Sequence, residues 1–316
     1  MKRRLFALVA LVSLLLGISG CSQTAALPDK VVVTYVKAPL NVPSMVERDQ
    51  GIFSKAFAED GISVEYTEIT SGADQTQALA SGDVQFLFAV GSASVILAAA
   101  NGADIRVIGA YSSSPKAFQI VTGDDSIQTA ADLKGKVVAG PKGTTLHELL
   151  AAYLTDNGLS LSDVDFVSMS IGDAQAALEA GQIDAALLAG ANAYSATQSG
   201  YRVLADGEGL IDGTVLVATS GDFYDKYPQL VERFQSAHRE ILDVIQQDPD
   251  QALEIAARET GMDRQAVEAM YAMYDFHAEL TDADLQSIQK TIQFMKSTGM
   301  IEQDAVTEMG IPLPEQ

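Results

Sequence analysis

The chain has no tryptophan, one cysteine and three histidines among its 316 residues. Each scarcity removes a class of chemistry. A single cysteine, Cys21, forms no internal disulfide, and the histidines, His147, His238 and His277, are scattered, so no Cys/His cluster stands at metal-ligand spacing. A glycine-centred calcium loop is also missing. Acyl transfer needs a nucleophile presented with a base, and no serine stands in a Gly-x-Ser-x-Gly elbow. A phosphate-binding P-loop needs lysine followed by Ser or Thr after its second glycine. Gly140 to Thr145 lacks that order, and Gly135-Lys136 is followed by valine. Positive charge is scarce: 20 Lys and Arg oppose 42 Asp and Glu, leaving a net charge of −22 that repels nucleic acid and anionic membrane. With no nucleophile, metal cluster or nucleotide loop, the residues point to a binding protein that needs no cofactor.

Long apolar runs are scarce as well. The uncharged run from Leu5 to Gly17 is too short to span a bilayer comfortably, and Lys2-Arg3-Arg4 precede it, the layout of a secretory signal over residues 1–20. It ends in Ile18-Ser19-Gly20-Cys21, which resembles the lipobox of bacterial lipoproteins and makes Cys21 the lipidation site. Residues 21–29 are polar and contain Pro28, and read as a tether between lipid and fold. The expected location is the extracytoplasmic face of the cell membrane.

What the sequence does have is an internal echo. Ala78, Leu79, Gly82, Val84 and Gly91 match Ala177, Leu178, Gly181, Ile183 and Gly190 at one constant offset. Each copy reads as helix, glycine stop, buried strand and small-residue loop. In the first copy Ser71 and Asp74 have capping-box spacing, Gly82 ends the helix, and Val84 to Ala89 is a strand covered on both faces. Gly91-Ser92-Ala93 then forms a loop before a helix from about Ser94 to Ala100, a helix start facing open space. The second copy ends in Gly190-Ala191-Asn192-Ala193-Tyr194. Between the copies, Gly140-Pro141-Lys142-Gly143-Thr144-Thr145 leads into a helix whose stripe is Leu146, Leu149, Leu150, Tyr153 and Leu154, with Thr145 and Glu148 at capping-box spacing. From Tyr224 onward the chain is helical, with segments at 228–247, 249–260 and 281–297.

Two copies imply two α/β lobes. The division is 30–112 for the first part of lobe one, 113–212 for lobe two and 213–316 for the mostly helical remainder of lobe one, with crossings at 111–115 and 207–213.

Tyr35 to Phe53, Ser71-Gly72 to Phe88, Ala131-Asp132-Leu133-Lys134-Gly135-Lys136 to His147, and Ala177-Leu178 to Leu188 resemble the solute-binding lipoproteins of ABC importers, of the nitrate, sulfonate and taurine type. The resemblance implies two Rossmann-like lobes joined by two crossing segments, the type II periplasmic-binding-protein fold, with a helical C-terminal layer. It also implies a monomer that closes by hinge motion on a small polar or anionic solute and passes it to an ABC permease driven by its ATPase. Carried over position by position, the ligand-binding residues are Leu40, Asn41, Ser71, Gly72, Gly91, Ser92, Ala93 and Tyr111 from lobe one. Lys142, Thr144, Thr145 and Asn192 come from lobe two. Where many relatives have Trp-x-Pro, this chain has Ala191-Asn192-Ala193, which removes an aromatic wall. No arginine lies in any of these loops, so a zwitterion or a neutral pyrimidine stays open beside a sulfonate, taurine or nitrate. An enzyme or a sensor on the same fold also stays open.

Overall fold

The computed structural model describes residues 26–37, 40–305 and 307–313. The leader, Cys21 and the Ala38-Pro39 pair lie outside the described residues.

Two sheets organise the chain. The first begins with β1 (Lys30–Tyr35), whose β-branched run Val31 to Val33 suits a strand covered on both faces. Helices α1 (Val42–Gln50) and α2 (Ile52–Ala58) follow, separated by Gly51 at φ 64, and lead to β2 (Ser63–Glu68). Next come α3 (Gly72–Ser81), β3 (Phe86–Gly91), α4 (Ser92–Ala100) and β4 (Arg106–Ser113).

The chain then crosses into the second sheet. This contains β5 (Phe118–Thr122), β6 (Val137–Gly140), α5 (Thr145–Asp156), β7 (Asp165–Ser168), α6 (Ile171–Glu179), β8 (Ala185–Ala189), α7 (Gly190–Gln198) and β9 (Arg202–Asp206). It returns through β10 (Thr214–Thr219) to α8 (Gly221–Lys226), α9 (Pro228–Gln247), α10 (Pro249–Thr260), α11 (Arg264–Tyr271), β11 (Asp275–Phe276) and α12 (Asp282–Ser297).

The first sheet has the order β11-β4-β10-β3-β1-β2 and the second β7-β6-β8-β5-β9. β1 pairs parallel with β2 and β3, while β10 inserts antiparallel between β3 and β4. In the second sheet β6 runs parallel to β7 and β8, and β5 runs antiparallel to β8 and β9. Each sheet is covered by helices, so the architecture is α/β in two lobes.

The two crossings lie side by side. The Ser113 hydroxyl donates to the Asp212 carbonyl at 3.0 Å, and the Ser114 amide to the Gly213 carbonyl at 3.3 Å. Gly213 has φ 63, and a Cβ there would stand 2.9 Å from the Pro115 nitrogen, so the close approach of the crossings needs glycine.

The first lobe is centred on stacked rings. Phe234 of α9 lies 4.2 Å from Phe53 and 4.1 Å from Phe86, both stacked, and Phe88 meets Tyr111 edge-on at 4.9 Å. Such pairs add about 0.5–1.5 kcal/mol each beyond the area they bury. The C-terminal helices follow their sequence signals closely. Pro228 and Pro249 occupy first turns, Gly261 stops α10 at φ 71, and Thr281 with Asp284 forms a complete capping box on α12.

Candidate functional site

Between the lobes lies a cavity of about 100 Å³. Six of the residues around it, Asn41, Ser71, Gly91, Thr144, Ser170 and Ala189, are the N-caps of α1, α3, α4, α5, α6 and α7. Each sits at or just beyond the carboxyl end of a strand, the place where open α/β sheets hold ligands. At five of the six caps the N-cap residue's own side chain accepts no hydrogen bond from the first turn; only Ser170 does so, from the Asp173 amide at 3.1 Å. In α1 the Ser44 amide donates to Tyr111 Oη at 3.2 Å and Pro43 has no N–H, while the first turns of α3, α4, α5 and α7 are not capped by their own N-cap side chains, and the positive ends of the helix dipoles meet in one cavity.

Among the described residues no Asp, Glu, Lys, Arg or His lines the cavity. Its apolar wall is Val36, Phe118, Leu146, Ile171 and Val215. Its polar atoms come from Thr70, Ser71, Ser94, Thr144, Thr145 and Ser170, with the amides Asn41 and Gln75. Thr145 is 3 % exposed, and its hydroxyl has no hydrogen-bond partner among the described residues. Leaving a buried hydroxyl unpaired costs about 1–3 kcal/mol, so this atom is a ready donor for a ligand.

The lobes touch at this seam. The Ser94 hydroxyl donates to the Gly143 carbonyl across the cleft at 3.0 Å. A Cβ on Gly91 would stand 2.5 Å from the Thr145 hydroxyl, so the approach of α4 to α5 requires glycine.

A buried polar chain supports the first-lobe side. Phe88 N–H donates to the Thr34 hydroxyl at 2.9 Å, Thr34 donates to Gln75 Oε1 at 3.2 Å, and Gln75 Nε2 donates to the Ala89 carbonyl at 3.3 Å. Ala89 has φ 79 and falls where the pairing of β3 with β10 shifts register. A left-handed alanine costs about 1–2 kcal/mol. The strain is held at the cavity wall, immediately before the start of α4.

Of the residues expected from sequence, Asn41, Ser71, Gly72, Gly91, Thr144 and Thr145 come together around the cavity. Six others do not. Leu40 is buried in the first-lobe core, with its amide donating to Tyr274 Oη at 3.0 Å. Ser92 and Ala93 are the first turn of α4, not a loop, because β3 runs on to Gly91 and the helix starts at once; they are 2 % and 0 % exposed. Tyr111 is fully buried against Ser44, whose hydroxyl lies 2.9 Å from Tyr111 Oη. Lys142 is exposed and outside the cavity wall. Asn192 likewise opens a helix and not a loop, and its side chain donates to Gln175 at 2.6 Å.

The expected capping boxes at Ser71–Asp74 and Thr145–Glu148 do not form. The helix at the second site starts one residue earlier than that pattern requires, with Thr144 as N-cap donating its hydroxyl to the Pro141 carbonyl at 2.8 Å. His147 braces the turn, with Nδ1 accepting from the Gly143 amide at 3.3 Å. Burial, aided by the Lys142 charge, pushes its imidazole down to about 4, which keeps it neutral.

Ser170, Ile171, Gln75 and Phe118 escaped the sequence reading. Ser170 and Asp173 lie at the repeat offset from Ser71 and Asp74, so extending the echo upstream of Gly172 would have found that helix start. Gln75 and Phe118 carry no such signal, because each sits inside an ordinary element.

A family model described as NMT1/THI5 like matches residues 44–252. A Bacillus subtilis protein described as a candidate aliphatic sulfonates-binding protein is 28 % identical over 311 residues, 96 % of this chain and 92 % of its own. The taurine-binding periplasmic protein of Escherichia coli is 29 % identical over 82 % of this chain and 84 % of its own. Among solved structures, the alkanesulfonate-binding protein SsuA from Xanthomonas axonopodis pv. citri, bound to MOPS, superposes with a TM-score of 0.81. It has 25 % identity and covers 90 % of this chain and 98 % of that one. The two-lobe fold, the cleft between the lobes and the family match to residues 44–252 agree: the chain belongs to the NMT1/THI5-like family of solute-binding proteins.

Proposed function

We propose that this protein captures a small monoanion with an apolar tail, an aliphatic sulfonate, by closing its lobes over it, and delivers it to an ABC import permease. The observation that carries the reading is the convergence of six helix N-termini on a cavity with no charged side chain among the described residues. Amide donors and dipole ends favour an anion without a counter-charge. Val36, Phe118, Leu146, Ile171 and Val215 suit an alkyl tail. The ammonium of taurine would have no carboxylate to meet among the lining residues, which argues for an unsubstituted tail. The sulfonate-binding names of the Bacillus and Xanthomonas relatives support the same class.

On this reading Asn41, Ser71, Gly72, Gly91, Thr144, Thr145 and Ser170 hold the anion. The lobes divide near 112/113 and 212/213 and turn about the paired crossings. The protein acts as a monomeric binding protein and not as an enzyme, and a lipid on Cys21 keeps it at the extracytoplasmic face of the membrane.

Titration calorimetry against butane-1-sulfonate, taurine, nitrate and uracil, in buffers free of sulfonates, tests this. Butane-1-sulfonate is expected to bind with a Kd on the order of micromolar, about −8 kcal/mol, and taurine at least about tenfold more weakly. Tighter binding of taurine, or binding of uracil alone, would overturn the ligand class.

A further inference from the structure

The first turn of α5 carries an acidic group that the anion site does not use. Glu148 lies one helical turn beyond Thr144, its amide bonded to the Thr144 carbonyl at 3.0 Å, and it is 5 % exposed. Two groups near its carboxyl belong to the opposite lobe and the return crossing. Thr291 of α12 presents its hydroxyl to it, and Asp212 adds a second negative charge nearby. Lys290, beside Thr291, is exposed and turned to Asp212 at 3.8 Å. Further along α12, Asp284 is taken by Thr281 and by His277 at 3.1 Å. On its own helix, His147 is neutral and stacks on Phe166 at 4.7 Å. α4 and β10 carry no titratable side chain. Among the described residues, Glu148 therefore has a hydroxyl and a like charge for company, and no ion-pair partner.

We propose that Glu148 takes up a proton from solvent when the lobes close, so that the protein captures its anion together with a proton. The inference rests on the closure reading above. Opening the cleft would carry α5 away from Thr291 and α12, returning the carboxyl to water and to ordinary acidity. Closing strips that water. In the closed form burial is the main cause that pushes this carboxyl up to about 7, with Asp212 acting in the same direction against the Thr291 hydrogen bond. The closed form then binds more protons than the open form between the ordinary value of 4.5 and about 7. Affinity for the anion therefore rises as pH falls through that window, by at most about tenfold per pH unit for one proton. By reciprocity, the anion raises the affinity of Glu148 for its proton by the same factor. Neutralising Glu148 also removes a negative charge one turn from the N-terminus that faces the ligand.

The experiment is calorimetry of butane-1-sulfonate with the full chain at pH 6 in phosphate and in imidazole buffer, whose ionisation enthalpies differ, followed by Kd measurements from pH 5 to 8. Wild type is expected to take up a fraction of one proton per ligand bound and to bind more weakly as pH rises. Glu148→Gln should show no uptake and a flat profile near the wild-type low-pH affinity. Carboxyl-carbon NMR of Glu148 in the wild type, with and without the ligand, reads the same shift even if the variant fails to fold. Binding without proton uptake in wild type, uptake that persists in Glu148→Gln, or an unmoved Glu148 titration would each overturn the proposal while leaving the anion reading intact. No binding at any pH would remove the anion reading, and this proposal with it.

Discussion

Glu47 and Glu148 are both buried carboxyls, but their surroundings differ. Glu47 lies on α1, 1 % exposed, wholly within the first lobe, where Tyr66 Oη donates to it at 2.7 Å and the Phe53 amide at 3.1 Å. Burial outweighs those two bonds and pushes its carboxyl up to about 7. Since both its partners and its cover belong to one lobe, it titrates with folding and not with closure. A carboxyl raised from 4.5 to about 7 in the folded state gives stability that is fully present below pH 4.5 and is lost as pH rises through 7. Its loss is on the order of 3 kcal/mol across that window. His238 runs the other way. Burial pushes it down to about 3, so the stability it gives above its ordinary value of 6.5 is lost as pH falls toward 3. Urea unfolding of wild type and Glu47→Gln between pH 5 and 8 separates the two: the difference between the chains should shrink or reverse in favour of the variant as pH rises. A difference that does not change with pH would contradict the assignment to Glu47.

At the scale of elements, the seam between α4 and α5 sets the geometry of the cleft. Gly91 caps α4, and a Cβ there would meet the Thr145 hydroxyl at 2.5 Å. In Gly91→Ala, Thr145 must rotate away or α5 must stand off, so sulfonate affinity should fall by at least about tenfold, on the order of 1.4 kcal/mol. The thermal midpoint of the ligand-free chain should change little. Equal affinity in the variant would show that the seam does not constrain the bound form.

Much of this seam was legible in the sequence, because strand-to-helix joints built from Gly, Ser and Thr are local signals. The echo placed Ser71 and Gly91, and the Gly140 to Thr145 turn placed Thr144 and Thr145. The capped, amphipathic helices α9, α10 and α12 were legible for the same reason. What sequence could not give was the phase at each joint. β3 runs on to Gly91 and α4 starts without a loop, which turns Ser92 and Ala93 into the core. Asn192 was misplaced in the same way by the early start of α7. Gln75, the left-handed Ala89 and the interlobe cover of Glu148 depend on contacts made across elements, which no local pattern encodes.

At the scale of the molecule, two lobes meet along one seam and are joined by two hydrogen-bonded crossings, with the cavity at the carboxyl ends of both sheets. The net charge of −22 does not draw anions in from a distance, so capture depends on local donors and on closure. A ligand can hold the closed state only through contacts to both lobes at once. The six helix starts supply these, three from the first sheet and three from the second. Small-angle X-ray scattering of the full chain, titrated with butane-1-sulfonate, tests that claim most directly. The expected result is a decrease in the radius of gyration that saturates at one ligand per chain. An unchanged radius at a concentration where calorimetry shows the site filled would contradict it.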